Sequence, residues 1–282
     1  VVDVLIAGDG LAAETAYASL RSVRLNLCVF TTDDSLKQRA ESDGVVEFDS
    51  LWNFSQTHPN GIIFLAGYKP IVGPEIYTNL RTLNLHASLL PAYRGMHSVV
   101  WALLNGEKKL GITIHEVDGL VDHGAILWQG STPSLEKTSW QLMTELHEMA
   151  GKVIGQVVID YDQKTLIPKP QDHNKATFCG RRRIQDCQLD WNWSCTYVEC
   201  FFRALVKPYP LPYFIYKNKK WDIVRADIIT RNYHEVPGHV LYRDEDSVWI
   251  KLGDGLLRLY EIADNGQVFA APEIIKKVYC RL

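Results

Sequence analysis

In the first half of the chain the apolar residues come in short unbroken runs separated by polar or helix-like stretches. Residues 2–8, Val-Asp-Val-Leu-Ile-Ala-Gly, form one such run closed by glycine, and Ala13, Ala16, Tyr17 and Leu20 then recur at helical spacing. That pattern predicts a strand followed by a helix. Further strands are expected at 26–31, 61–67 and 82–86, each reached through sequence long enough for a parallel crossover. Unbroken rather than alternating apolar strands imply a sheet covered on both faces. The fold class expected is α/β, a doubly wound, mostly parallel sheet whose ligands lie at the carboxyl ends of the strands.

A helix at 99–105 is followed by two strands, 111–117 and 125–129, and by one long helix in which Met143, Leu146, Met149 or Ala150, Val153 and Val157 repeat toward the core. Thr138 with Gln141 resembles a capping box at its start. The stretch 166–190 lacks periodicity and reads as an ordered connecting loop. Beyond it, a helix at 195–206 stops at Lys207-Pro208-Tyr209-Pro210, and strands then alternate with turns such as Lys217-Asn218-Lys219 and Pro237-Gly238. Two domains are expected: 1–190, carrying the sheet, and 191–282, small and β-rich.

Composition narrows the classes. The chain has 282 residues, 46% of them hydrophobic, and a formal net charge of −3, so it has the core of a globular protein and no whole-surface field for polyanions. Six cysteines occur without a CxxC pair, and no metal site is expected. No run reaches the ~20 apolar residues of a membrane span. Val1 opens directly on a strand-like run, from which a cytoplasmic location without membrane attachment is expected.

Three segments could carry chemistry. Gly8-Asp9-Gly10-Leu11-Ala12-Ala13 satisfies the loose dinucleotide fingerprint between a strand and a helix, although the expected acid after the second strand is not cleanly placed. It is read as a tight turn that could still meet an anionic substrate group through Gly8, Asp9 and Gly10. In Asn84-Leu85-His86 an amide and an imidazole emerge two residues apart on one face of a strand. The pair could serve an oxyanion and a proton, or could merely satisfy loop carbonyls. Asp122 lies in a glycine-bounded turn between strands, where a carboxylate could hold an imidazolium or stabilise the turn.

Taken together, Asn84-x-His86-x-Ser88-Leu89-Leu90-Pro91-x-Tyr93-Arg94-Gly95, Gly111-x-Thr113-x-His115 and Asp122-x-Gly124-x-Ile126 resemble the formyltransferase family that uses N10-formyltetrahydrofolate. The resemblance continues through Pro170-Gln171, Ala176-Thr177-Phe178 and Arg203-Ala204-Leu205 into the C-terminal part, covering nearly the whole chain. It implies Asn84, His86 and Asp122 as the catalytic trio. It also implies a pterin pocket lined by Tyr68, Lys69, Pro70, Ile71 and Val72 and by the turn Asp118, Gly119 and Leu120. The loop Arg94, Gly95, Met96 and His97 is then placed to meet the acceptor.

Acceptors within this family differ: methionine on initiator tRNA, an amino ribonucleotide, or an amino sugar on a nucleoside diphosphate. The acidic balance and the two short basic runs, Arg181-Arg182-Arg183 and Lys217-Asn218-Lys219-Lys220, argue against nucleic acid. In the tRNA-directed relatives the position of His97 or Ser98 commonly holds proline, a departure that points to another acceptor. A nucleotide-linked amino sugar is therefore expected as substrate, for surface polysaccharide biosynthesis, with a homodimer formed through the C-terminal domain. Methionyl-tRNA formyltransferase is the alternative. A nicotinamide-dependent reductase built on Gly8 to Ala13, or a catalytically idle scaffold, are the readings from other classes.

Overall fold

The computed structural model describes residues 1–231 and 233–282. Two compact units emerge, one made of Val1–Val99, Lys108–Leu135 and Gln141–Gly180, the other of Val100–Glu107, Glu136–Trp140 and Arg181–Leu282. The second unit draws on three segments, the last taking up at Arg181, where two contiguous domains, 1–190 and 191–282, were expected. Among the described residues no helix is long and apolar enough to cross a membrane.

In chain order the first elements are β1 (Asp3–Ala7), α1 (Gly10–Arg21), β2 (Asn26–Phe30), α2 (Asp34–Ser42), β3 (Val46–Glu47), α3 (Leu51–Thr57), β4 (Ile62–Ala66), α4 (Pro74–Tyr77) and β5 (Arg81–His86). They are followed by β6 (Arg94–Gly95), α5 (Ser98–Leu104), β7 (Lys109–Glu116), β8 (Ile126–Pro133), α6 (Ser139–Gly151), α7 (Ile154–Asp162) and β9 (Phe178–Cys179). The main sheet runs β3-β2-β1-β4-β5-β7-β8. Its first five strands are parallel, while β7 pairs antiparallel with both β5 and β8. This is the doubly wound, mostly parallel sheet that the apolar runs predict. Val4 to Ala7 and Ile62 to Phe64 are wholly buried because helices cover both faces of the central strands.

Where one long helix was expected after residue 138 there are two, α6 and α7, divided around Gly151 and Val153. Leu142, Leu146 and Ala150 form the buried stripe of α6, and Met143 and Met149 are only half-buried beside it. The break lets α7 settle on α1, where Gly155 N–H donates to Ser19 Oγ at 3.0 Å. Helices approach that closely only over a small residue, since a Cβ at Gly155 would stand 2.9 Å from Ser19 O.

The second unit contains α8 (Cys195–Ala204), then β10 (Tyr213–Tyr216), β11 (Lys219–Ile229), β12 (Val240–Arg243), β13 (Val248–Lys251), β14 (Leu256–Asp264), β15 (Gln267–Ala270) and α9 (Ala271–Ile274). Its antiparallel sheet runs β10-β11-β14-β13-β12, with β15 added on β14. Lys217 and Asn218 turn the β10–β11 hairpin with φ of 53° and 58°, the left-handed pair that matches strand twist in two-residue loops. Lys251 is wholly buried, its ammonium donating to Leu252 O at 2.7 Å, Gly255 O at 3.4 Å and Gly253 O at 3.5 Å. A buried ammonium requires such a ring of acceptors.

Candidate active site

The site is assembled where β5 meets β7. Asn84 pairs across the ladder with His115, and His86 with Thr113, so period two places four polar side chains on one face of adjacent strands. Asn84 Nδ2 donates to His115 Nε2 at 3.0 Å and to Asp122 Oδ1 at 3.3 Å. His86 Nε2 donates to Tyr93 O at 2.9 Å, leaving Nδ1 toward Asp122 Oδ2 at 3.4 Å. His115 donates through Nδ1 to Glu116 O at 2.7 Å, so its Nε2, 3.4 Å from Asp122 Oδ1, presents a lone pair to the Asn84 amide.

Asp122 reaches the cluster from the turn between β7 and β8, with a φ of 49°. A non-glycine residue in that region costs about 1–2 kcal/mol, so surrounding bonds must hold it there. Gly95 N–H donates to Asp122 Oδ2 at 2.8 Å, and Gln171 Nε2 donates to the backbone carbonyls of Asp122 and Gly124 at 2.9 and 2.8 Å. Gly124 is obligatory, because a Cβ there would lie 2.0 Å from Glu116 O.

Burial acts on the two titrating partners in opposite ways. It pushes the His86 imidazole below its ordinary range, against the pull of the Asp122 charge and the bond to Tyr93 O. For Asp122, burial by itself would raise the carboxyl, yet the neighbouring His115 and His86 imidazoles and the Gly95 N–H together hold it below the usual carboxylate range. A neutral imidazole with a bare Nδ1 beside an ionised carboxylate is a proton acceptor ready for use. The Asn84 amide, which cannot titrate, can turn its longer bond outward to a developing oxyanion.

All three members of the trio named from sequence are therefore brought together. His115, only 2% exposed, is the member that the sequence reading left without a role. Its signal was present in Thr113-x-His115, the same alternation that singled out Asn84 and His86.

The loop after β5 is latched at several points. Thr113 Oγ1 donates to Ser88 O at 2.6 Å, and Gln129 Nε2 donates to Leu90 O at 2.9 Å. Tyr93 N donates to Thr177 Oγ1 at 2.8 Å, and β6 pairs with β9. The stretch expected only to connect the domains thus supplies a strand and Gln171 to the site.

Arg94, expected to meet substrate, is 3% exposed and turns inward, Nη2 donating to Gln171 Oε1 at 2.6 Å and to His173 Nδ1 at 2.9 Å. Gly95 has a φ of 104°, and a Cβ there would meet Cys179 O at 2.2 Å, so its part is to grip Asp122. Met96 and His97 are exposed.

The two segments expected to hold the pterin keep an apolar surface in the open. Ile71 is 85% exposed and Leu120 62%, while Lys69 and Pro70 are also exposed. Tyr68 and Val72 pack against the core beneath. Asp118 closes the turn, accepting from Leu120 N at 3.3 Å and from His123 Nδ1 at 2.6 Å. Gly119 has a φ of 92°, and a Cβ on it would stand 2.5 Å from Tyr77 Oη at the end of α4, so the turn packs closely there. Apolar side chains left in solvent beside backbone polar groups are what a flat heteroaromatic ring would cover.

The Gly8-Asp9-Gly10 loop has a different character. Asp9 accepts from Thr32 N at 2.7 Å, Thr32 Oγ1 at 2.8 Å and Thr31 Oγ1 at 2.8 Å, and Gly10 N donates to Asp33 Oδ2 at 3.3 Å. Two carboxylates thus hold the Thr31, Thr32 and Gly10 donors, and the Gly8 N–H donates to Phe30 O at 3.1 Å, in the loop expected to meet an anionic substrate group. Gly8 instead allows close packing, since its Cβ would fall 1.9 Å from Ala66 O at the end of β4.

This fold, with an amide, an imidazole and a carboxylate converging at the strand ends, defines a transferase of the α/β class with an appended β-unit. The chain belongs to the formyl transferase family, matching it over residues 51–158 and its C-terminal domain family over residues 183–278, and is thereby an N-formyltransferase. It is 32% identical over 208 residues to a methionyl-tRNA formyltransferase of Caldanaerobacter subterraneus, covering 73% of this chain and 67% of that one. A methionyl-tRNA formyltransferase of Roseiflexus sp. is 31% identical over 265 residues, covering 93% and 78%. For a further relative, from Alkaliphilus oremlandii, the match spans 60% of its length. Among solved structures, the N-formyltransferase of Helicobacter canadensis, in complex with folinic acid and dTDP-3-aminofucose, superposes with a TM-score of 0.76 at 17% identity, covering 93% of this chain and all of that one. The methionyl-tRNA formyltransferase of Clostridium thermocellum superposes with a TM-score of 0.61, also at 17%, covering 96% and 97%.

Proposed function

We infer that the protein transfers the formyl group of N10-formyltetrahydrofolate to the amine of a nucleotide-linked amino sugar. The transfer is carried by the contact of Asn84, His86 and Asp122 within one cluster. The attacking amine forms a C–N bond to the formyl carbon and gives its proton to the His86–Asp122 pair. Asn84 donates to the oxygen that becomes negative. The same proton then goes to the folate nitrogen as its bond to the formyl carbon breaks. His115 holds Asn84 in register, and Ile71 with Leu120 covers the pterin.

The acceptor reading rests on His97. In the tRNA-directed relatives the position of His97 or Ser98 commonly holds proline, and this chain has proline at neither. The net charge of −3 supports the same choice. Methionyl-tRNA formyltransferase is the second reading, favoured by the names of the sequence relatives. We assign the product to surface polysaccharide synthesis in the cytoplasm, and a homodimer to the C-terminal unit. A monomeric mass by light scattering at micromolar concentration would refute the dimer.

The test of function is direct. Incubation with formyl donor, a panel of nucleotide-linked amino sugars and charged initiator tRNA should add one formyl group to a sugar nucleotide, read by mass spectrometry. Formylated tRNA beside unmodified sugars would overturn the acceptor.

A further inference from the structure

We propose that Arg94 and Gln171 form a positioning pair that sets the orientation of the Asp122 carboxylate from behind, a role that rests on the formyl-transfer reading above. The argument begins with the amide of Gln171. Arg94 has only donors, so its guanidinium compels Gln171 to present Oε1 toward it at 2.6 Å and Nε2 the other way. Nε2 then meets two carbonyls at once, those of Asp122 and Gly124, at 2.9 and 2.8 Å. The amide cannot flip without facing oxygen to oxygen on one side and N–H to N–H on the other. One buried guanidinium thereby determines where the left-handed turn at Asp122 stands.

Neighbouring contacts complete the grip. Gly95, next in sequence to Arg94, holds the Asp122 carboxylate through its N–H at 2.8 Å, so two consecutive residues of β6 control backbone and side chain of the same aspartate. Arg94 also donates to His173 Nδ1 at 2.9 Å, and the His173 ring lies flat on His123 with centroids 3.9 Å apart. His123 follows Asp122 directly and is tied by Nδ1 to Asp118 at 2.6 Å. Among the described residues no carboxylate pairs with the Arg94 guanidinium. The guanidinium is held instead by the Gln171 oxygen and His173 Nδ1, 5.9 Å from the centre of the Phe178 ring.

The decisive variant is Gln171→Glu. A carboxylate pairs with Arg94 at least as well as the amide does, so the fold keeps its buried cation satisfied. It offers no N–H to the carbonyls of Asp122 and Gly124, so the turn loses both donors. We expect kcat to fall about 30-fold, the worth of roughly two neutral hydrogen bonds. KM for donor and amine should stay within about threefold, because both side chains are buried behind the site. Arg94→Lys keeps charge but loses the fork, and a drop in kcat of about fivefold is expected. It serves as the second variant should Gln171→Glu fail to fold.

A folded Gln171→Glu enzyme with kcat within threefold of the unaltered protein, or a rise in KM that accounts for the whole loss, would overturn the positioning role. If the unaltered protein neither formylates an acceptor nor releases formate from the donor, the formyl-transfer reading itself fails and the proposal with it. An active parent with an equally active variant refutes the pair alone.

Discussion

Two loops at the carboxyl ends of the same sheet show how similar polar inventories lead to opposite outcomes. At the end of β1, Asp9 is bonded to Thr31 and Thr32 and Gly10 to Asp33, so the donors and carboxylates answer one another. At the end of β5, Asn84, His86, His115 and Asp122 also touch one another, but Asn84 donates to Asp122 at 3.3 Å and both imidazoles approach it at 3.4 Å with a bare ring nitrogen. The first loop is closed chemically and the second is poised. A glycine-rich motif marks a close packing point in one, while alternation along a strand marks chemistry in the other.

The comparison breaks most visibly at His86. Replacing it with alanine should lower kcat about 10³-fold by removing the proton acceptor, and replacing Asn84 with alanine about 10²-fold by removing the oxyanion donor. Single-turnover formyl transfer measures both; an Asn84→Ala enzyme of ordinary rate would move the oxyanion role elsewhere. Gly95→Ala comes next. Its φ of 104° and the 2.2 Å approach to Cys179 O should distort the grip on Asp122, costing activity and a few degrees of melting temperature together.

By contrast, Asp9→Ala should leave kcat within about twofold and lower stability by about 1 kcal/mol, since it strands the buried Thr31 hydroxyl while the exposed Thr32 donors turn to water. Urea unfolding beside steady-state kinetics separates the two, and a large KM effect of Asp9→Ala would restore a binding role to the loop.

The smallest effect is that of pH. His86 and His147 are both buried and held below the ordinary imidazole value of 6.5. Below that value the unfolded chain binds protons that the folded one refuses, so stability falls as pH drops below about 6.5, by up to ~1.4 kcal/mol per unit for each group. Activity should fall as pH descends through the lowered His86 value, because the protonated ring accepts nothing. Asp122, held below 3.8, gives stability that persists above that value and is lost only as pH falls through its depressed one. Denaturant titrations at several pH values for the parent and for His86→Gln and His147→Gln report the slopes, and identical slopes in all three would refute the assignment.

Much of this was legible in one dimension. Unbroken apolar strands announced a covered sheet, and Asn84-x-His86 announced a polar face, because side-chain direction in a strand depends only on parity. The partnership of Arg94 with Gln171 was not legible, since it joins positions 77 residues apart. The helix break near Gly151 escaped for a related reason: apolar spacing continues through it, and what ends α6 is the packing of α7 on α1.

The sequence by itself determined which strands are buried, which faces are polar and which residues carry titratable chemistry, all of them consequences of local geometry and hydrophobicity. Only the tertiary structure decided that Arg94 faces inward, that His115 joins the site and that the Gly8 loop is closed, because hydrogen-bond partners are chosen by proximity in space.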